Sequence, residues 1–169
     1  METRAETRDR RQERYADVPI PLRDYAGLAA LFNVAMVGGL ALAERSGRRI
    51  PERVSAADIA LLGVATHKVS RLITKDRVTA FVRAPFTRYE EPAGHGELEE
   101  HARGTGARRA VGQLLSCPYC ISQWVAGGFF LGLVAAPRPT RLAAAMFTAV
   151  FVSDGLQLAW KAAESRATP

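Results

Sequence analysis

Charged and uncharged residues fall in long separate blocks along this chain. Residues 25–43, YAGLAALFNVAMVGGLALA, hold no charge and one amide, Asn33. Residues 121–136 are uncharged, with Ser122 and Gln123 as their polar positions. Residues 142–160, LAAAMFTAVFVSDGLQLAW, hold a single charge, Asp154. A fourth run, AADIALLGVATHKVSRLI, is largely apolar for two thirds of its length and then carries His67, Lys68 and Arg71. A helix needs about 20 residues to cross the hydrocarbon core of a bilayer. The uncharged runs lack the polar stripe of a helix lying on a soluble core. The pattern predicts an all-α fold: a small polytopic membrane bundle of about four transmembrane helices, over 25–43, 56–74, 117–136 and 142–160, with a lipid bilayer as its principal partner.

Turn and cap residues punctuate these runs. Residues 1–24 form a polar, basic N-terminal extension, closed by Pro19 and Pro21. Gly38 and Gly39 suit close helix contact in lipid. Gly47 and Pro51 turn the chain, and Ser55, with Asp58 three residues on, reads as a helix cap. In 74–88, TKDRVTAFVRAPFTR, apolar Val78, Phe81, Val82 and Phe86 lie among Lys75, Arg77, Arg83 and Arg88. This predicts a short amphipathic segment on the membrane surface, broken by Pro85. It opens a cytoplasmic connector, 75–110. Gly94, Gly96, Gly104 and Gly106 predict a flexible loop over 89–110, with a short helix in it. Those glycines lack the strand and spacing of a nucleotide-binding loop. Ser116 is expected to cap the cysteine-bearing helix, which Pro137 and Pro139 end. The turn that follows is short, so the last helix returns antiparallel. Residues 161–169 are a tail.

Composition refines the picture in one respect. Mean hydropathy is near zero and 48% of residues are apolar, which averages away the segregation. Net charge is +6, a balance that suits nucleic acid or anionic surfaces. The uncharged runs exclude a soluble nucleic-acid binder, and arginines flanking apolar segments fit membrane anchoring. No secretory signal is expected in 1–20, which lack an apolar core and a small-residue cleavage site. The two terminal segments and the 75–110 connector hold 15 Lys and Arg, whereas the two opposite loops hold 6, which places both termini inside. Lys68 and Asp154 each lie 12 residues into helices that run in the same direction. Both therefore sit about 18 Å from the outer surface, and an ion pair between them, with His67 or Arg71 as substitutes, would relieve the cost of a lone charge in low dielectric.

Both cysteines lie in C-P-Y-C, residues 117–120. This is the active-site tetrapeptide of glutaredoxins, and the start of a helix favours a reactive thiolate. The surroundings differ from glutaredoxins, because 116 residues precede the motif and no buried strand leads into it. Three readings stand. Reduced cysteines at a tight helix start fit a structural, accessory or partner-binding protein, acting with a protein partner or as a homo-oligomer. A thiol redox enzyme or sensor would use Cys117 and Cys120. Zinc would need Cys117 and Cys120 with His67, His95 or His101, and no ligand spacing supports that set. An open groove beside Cys117 would favour redox chemistry over a sealed structural role.

Two motifs in order, HKVSRLITKDRVTAFVRAPFTRYE and RRAVGQLLSCPYCISQWVAG, resemble the bacterial membrane-protein family catalogued as domain of unknown function 1360. The resemblance covers roughly 56–155. It implies a bacterial inner-membrane protein and no particular reaction. The family's marked positions fall on Arg71, Asp76, Arg83, Cys117, Pro118, Cys120 and Trp124. A structural or functional polar cluster is expected at His67, Lys68, Arg71, Asp76, Arg83, Trp124 and Asp154, of which Arg71, Asp76 and Arg83 would organise the inner surface near Cys117 and Cys120. Ile121 and Ser122 depart from the relatives' aliphatic residue followed by glycine.

Overall fold

The computed structural model describes residues 20–167. Most of the N-terminal extension, residues 1–19, and residues 168–169 lie outside the described residues. The order of elements is α1 (Leu22–Arg45), α2 (Ala56–Thr74), a 3₁₀ turn (Arg77–Thr79), α3 (Ala80–Arg83), β1 (Thr87–Gly94), β2 (Glu97–Ala102), α4 (Gly106–Ser116), α5 (Pro118–Ala135) and α6 (Pro137–Ala167).

Three helices, α1, α5 and α6, are long and apolar enough to span a membrane. Their apolar side chains point outward. No residue of α1 is buried, and Leu31, Val34, Val37 and Leu42 stand exposed along it. On α6, Leu142, Met146, Val152, Leu156 and Trp160 are likewise exposed. Apolar surface on this scale on two long helices is what a lipid solvent permits and water does not.

The fourth predicted span differs in kind. α2 packs between α5 and α6, with α1 on the far side of α5, and keeps one face exposed at Ile59, Gly63 and His67. Leu62 and Ala65 of α2, Leu133 of α5 and Ala144 of α6 form the buried core, with Phe129 and Phe147 against it. α2 carries Asp58, Lys68 and Arg71 and falls short of the apolarity of the other three.

Glycines set the close approaches. A Cβ on Gly127 would lie 2.8 Å from the Met36 sulfur and 2.9 Å from Phe32, and one on Gly39 would lie 2.9 Å from Leu131. Gly39 thus faces α5 as expected, whereas Gly38 faces open space. Pro137 begins α6 after the single non-helical residue Ala136. Proline tolerates a first helical turn, so α6 starts five residues earlier than expected and runs on to Ala167. Its 31 residues extend about 46 Å, longer than a hydrocarbon core of about 30 Å.

The connector is a folded cap, which corrects both the flexible loop expected over 89–110 and the all-α class. β1 and β2 form an antiparallel hairpin, with Thr87 opposite Ala102 and Gly94 opposite Glu97. Gly94, His95 and Gly96 turn it with φ of 81°, 44° and 83°, a left-handed run that glycine enters without strain. The hairpin is pinned beneath α2: Leu98 N donates to Lys75 O at 2.8 Å and Arg77 N to Gly96 O at 2.9 Å. α4 then lies across the hairpin. At Gly112 a Cβ would sit 2.4 Å from the Phe86 carbonyl oxygen and 3.0 Å from the Ala102 Cβ.

Gly112→Ala should therefore destabilise the cap by about 1–3 kcal/mol through overpacking, while Gly128→Ala, where nothing lies within 4 Å, should be silent. Limited proteolysis of 87–110 in detergent, beside thermal unfolding, checks this; equal protease resistance in both variants would refute it.

Candidate functional site

Pro118 makes the corner on which the site is built. The residue before proline is driven out of the helical region, and Cys117 adopts φ −110°, ψ 107°. α4 therefore stops at Ser116 and α5 starts at Pro118, with Cys117 as the one residue between them. The cap of α5 is Cys117, not Ser116 as expected. Cys117 Sγ accepts from the Cys120 N–H at 3.2 Å, whereas Ser116 is still in α4 and its hydroxyl reaches back to Gln113 O at 3.4 Å. An N-cap side chain and the residue three positions on face each other across a first helical turn. With cysteine at both, the sulfurs lie 2.6 Å apart. Both thiols are free; Cys117 is half-buried and Cys120 exposed. Tyr119 between them is 89% exposed.

Beside the sulfurs is an open-sided cavity of about 420 Å³, lined by Tyr25 and Leu28 of α1, Ala110, Gln113, Leu114 and Ser116 of α4, and both cysteines. The Tyr25 hydroxyl donates to Gln113 Oε1 across its wall. Tyr25 and Gln113 carry no motif, and only the amphipathic repeat of α4 could have hinted at the second. Trp124, one turn into α5, meets Phe32 of α1 edge-on at 5.4 Å, which holds α1 beside the cavity.

The other singled-out residues do not converge on the thiols; they hold α2 in the bundle and the cap on α2. Lys68 Nζ lies 2.9 Å from Asp154 Oδ2 on α6, the pair that equal depth predicts, and 3.6 Å from Asp76 Oδ2. His67 packs edge-on against Phe151 at 5.3 Å. Arg71, the alternative partner for Asp154, instead forms a two-pronged pair with Glu97 of β2, at 2.9 and 2.5 Å. Asp58 receives Arg141 of α6 at 2.7 and 2.9 Å as well as the Ser55 hydroxyl at 2.9 Å. The Arg141 contact escaped the sequence reading, which placed Arg141 in a loop.

Arg83 is fully buried, at 0% exposure. Its guanidinium donates to Ile73 O at 2.8 Å, to Asp76 O at 3.2 Å and to Thr79 Oγ1 at 2.8 Å, and pairs with Glu100 of β2. Ile73 O belongs to the last turn of α2, whose carbonyls lack helical partners and attract a cation. The cap thus closes around one charge. Asp76 meets Arg83 through its backbone carbonyl, and its carboxylate faces Lys68. His101 bonds Glu90 across the hairpin at 2.8 Å, and His95 sits in the turn. Among the described residues no three of His, Cys, Asp and Glu converge in a way that could hold a metal ion. Zinc on the two cysteines would need ligands from elsewhere.

Membrane-length apolar helices around a charge-paired helix, with a C-x-x-C motif at the head of one span, define a multi-pass helical membrane protein. The chain belongs to the DUF1360 family, described as "Protein of unknown function (DUF1360)", which matches residues 61–160. That match takes in both cysteines, the hairpin and the Lys68–Asp154 pair. Among curated proteins, the sporulation protein YjcA of Bacillus subtilis (strain 168) is 33% identical over 88 residues, covering 50% of this chain and 75% of the relative. No solved structure matches.

Removing Lys68 strands Asp154, whereas removing Asp154 leaves Lys68 with Asp76 at 3.6 Å. Lys68→Met should destabilise the protein by about 3–5 kcal/mol and Asp154→Asn by less, and the double variant by clearly less than their sum. Thermal unfolding in detergent of all four proteins checks this; additive losses would show that the pair is not coupled.

Proposed function

We propose that this is a bacterial inner-membrane thiol redox protein, whose Cys117 and Cys120 cycle between dithiol and disulfide. The observation that carries it is the pair of free sulfurs 2.6 Å apart, open on one side to a cavity. A bond of about 2.05 Å needs only a small movement of side chains already facing each other. Cys117 is the attacking thiol, because it stands at the helix start and its sulfur already accepts both the Cys120 N–H and the Cys120 thiol. It would attack the acceptor, and Cys120, three residues on, would resolve the adduct by attacking Cys117 Sγ. A purely structural, accessory or partner-binding role accounts for the paired charges of α2, but gives no reason for two free thiols to meet beside an open cavity.

In this reading α2 is a fourth crossing, made tolerable by neighbours that neutralise its charges. The exposed Val78, Phe81 and Val82, beside Arg77 and Lys75, lie in the lipid interface. The Lys and Arg bias, 15 against 6, puts the cap, the thiols and both termini in the cytoplasm. There, reducing conditions return the disulfide to dithiol.

Two measurements test this. Mass spectrometry after alkylation should show an intramolecular Cys117–Cys120 disulfide on mild oxidation, reversed by dithiothreitol and absent in Cys120→Ser; two thiols that stay alkylatable after oxidation would refute the reading. A membrane-impermeant maleimide should label the reduced cysteines in inverted vesicles and not in intact spheroplasts; the opposite result would reverse the topology.

A further inference from the structure

The redox reading leaves the electron acceptor unspecified, and the cavity beside the sulfurs constrains it. Its volume, about 420 Å³, falls in the range of small-molecule sites, about 300–1,000 Å³. Leu28, Ala110 and Leu114 give it apolar walls. Its depth is that of the membrane boundary: Tyr25 opens the uncharged run of α1, and Cys120 lies in the first turn of the α5 span. Three hydrogen-bonding side chains are set in those walls, and the hydroxyls of two of them, Tyr25 and Ser116, are already donated to Gln113. Gln113 takes the Tyr25 hydroxyl on its oxygen, which leaves its amide NH₂ as a donor. An occupant should therefore be a small ring that is soluble in lipid, accepts a hydrogen bond, and takes two electrons.

From this we propose that the cavity binds the head group of a membrane quinone, and that the Cys117–Cys120 dithiol reduces it to the quinol. The proposal rests on the redox reading above and names its acceptor. The balance closes within the site. Cys117 and Cys120 lose two protons and two electrons as the S–S bond forms, and the quinone gains two of each to become quinol. Leu28 and Leu114 enclose the ring, the Gln113 amide donates to a quinone carbonyl, and the tail leaves toward lipid along α1. The apolar walls of Leu28, Ala110 and Leu114 beside the sulfurs favour a lipid-soluble ring as the acceptor.

The test uses the full chain, reduced, in nanodiscs of synthetic phosphatidylcholine under anaerobic conditions. Short-tailed ubiquinone and menaquinone analogues are the probes, and diamide, a small soluble thiol oxidant, is the control. Quinol absorbance and the Cys117–Cys120 disulfide, read by mass, should rise together one to one. Leu28→Trp, which fills the cavity, and Gln113→Leu, which keeps its volume and removes the donor, should each slow the quinone reaction about tenfold more than they slow oxidation by diamide. Quinone oxidation at equal rates in wild type and both variants would overturn the site. Oxidation by diamide with none by either quinone would overturn the acceptor and leave the redox reading standing. No disulfide with any oxidant would remove both.

Discussion

A charge that leaves water must meet its opposite, and α2 obeys this along its whole length. Asp58 at its start is met by Arg141, Lys68 near its C-terminal end by Asp154 and Asp76, and Arg71 one turn later by Glu97. The four partners come from three places: α6 supplies two, the segment after α2 one and the hairpin one. Pairing therefore does more than lower the cost of burial. It fixes the depth of α6 against α2 at two points and fixes the hairpin below α2 at a third. The apolar core between those points is thin, four buried residues with a few neighbours, so hydrophobic packing alone would leave the helices free to slide.

The cap follows from the same rule on a smaller scale. Arg83 is held in its interior by carbonyls of the α2 terminus and by Glu100. That charge joins α2, the 3₁₀ turn and β2. Gly112 lets α4 lie directly on the hairpin, and α4 ends where Pro118 forces it to. The position of Cys117 is thus set from two directions: from the cap through α4, and from the membrane through α5. A thiol pair held this way is presented at a defined depth.

The sequence was most legible where one physical force acts alone. Length and lack of charge mark α1, α5 and α6, and Ser55 marks the start of α2. Arithmetic on helical rise brings Lys68 to Asp154, because depth in a membrane is a one-dimensional quantity that residue counting measures well. The same arithmetic would have reached Asp58 and Arg141 had α6 been started at Pro137; reading two prolines as a break hid the pair. The hairpin was illegible for another reason. Its residues, TRYEEPAG and ELEEHA, lack the apolar alternation of a strand on a core. Their order comes from ion pairs to Arg71, Lys75 and Arg83, which no local pattern reveals. The cavity was equally hidden, since its walls come from segments 80 or more residues apart in the chain, as Tyr25 and Gln113 are.

The wide sequence separation within the Asp58–Arg141 pair bears on how the protein is made. When α2 leaves the ribosome, Asp58 and Lys68 lack their partners from α6, and Asp58 must wait for a residue 83 positions later. As the crossing proposed for it, α2 is a poor candidate to enter lipid in its turn. With α2 as a crossing, the order of membrane entry would depart from the order of synthesis: α1 would go first, and α2 would be accepted only once the α5–α6 hairpin arrived to receive it. Biogenesis of this chain would thereby be tied to its last helix, and truncation before residue 141 would leave an earlier, intact segment without a place to settle.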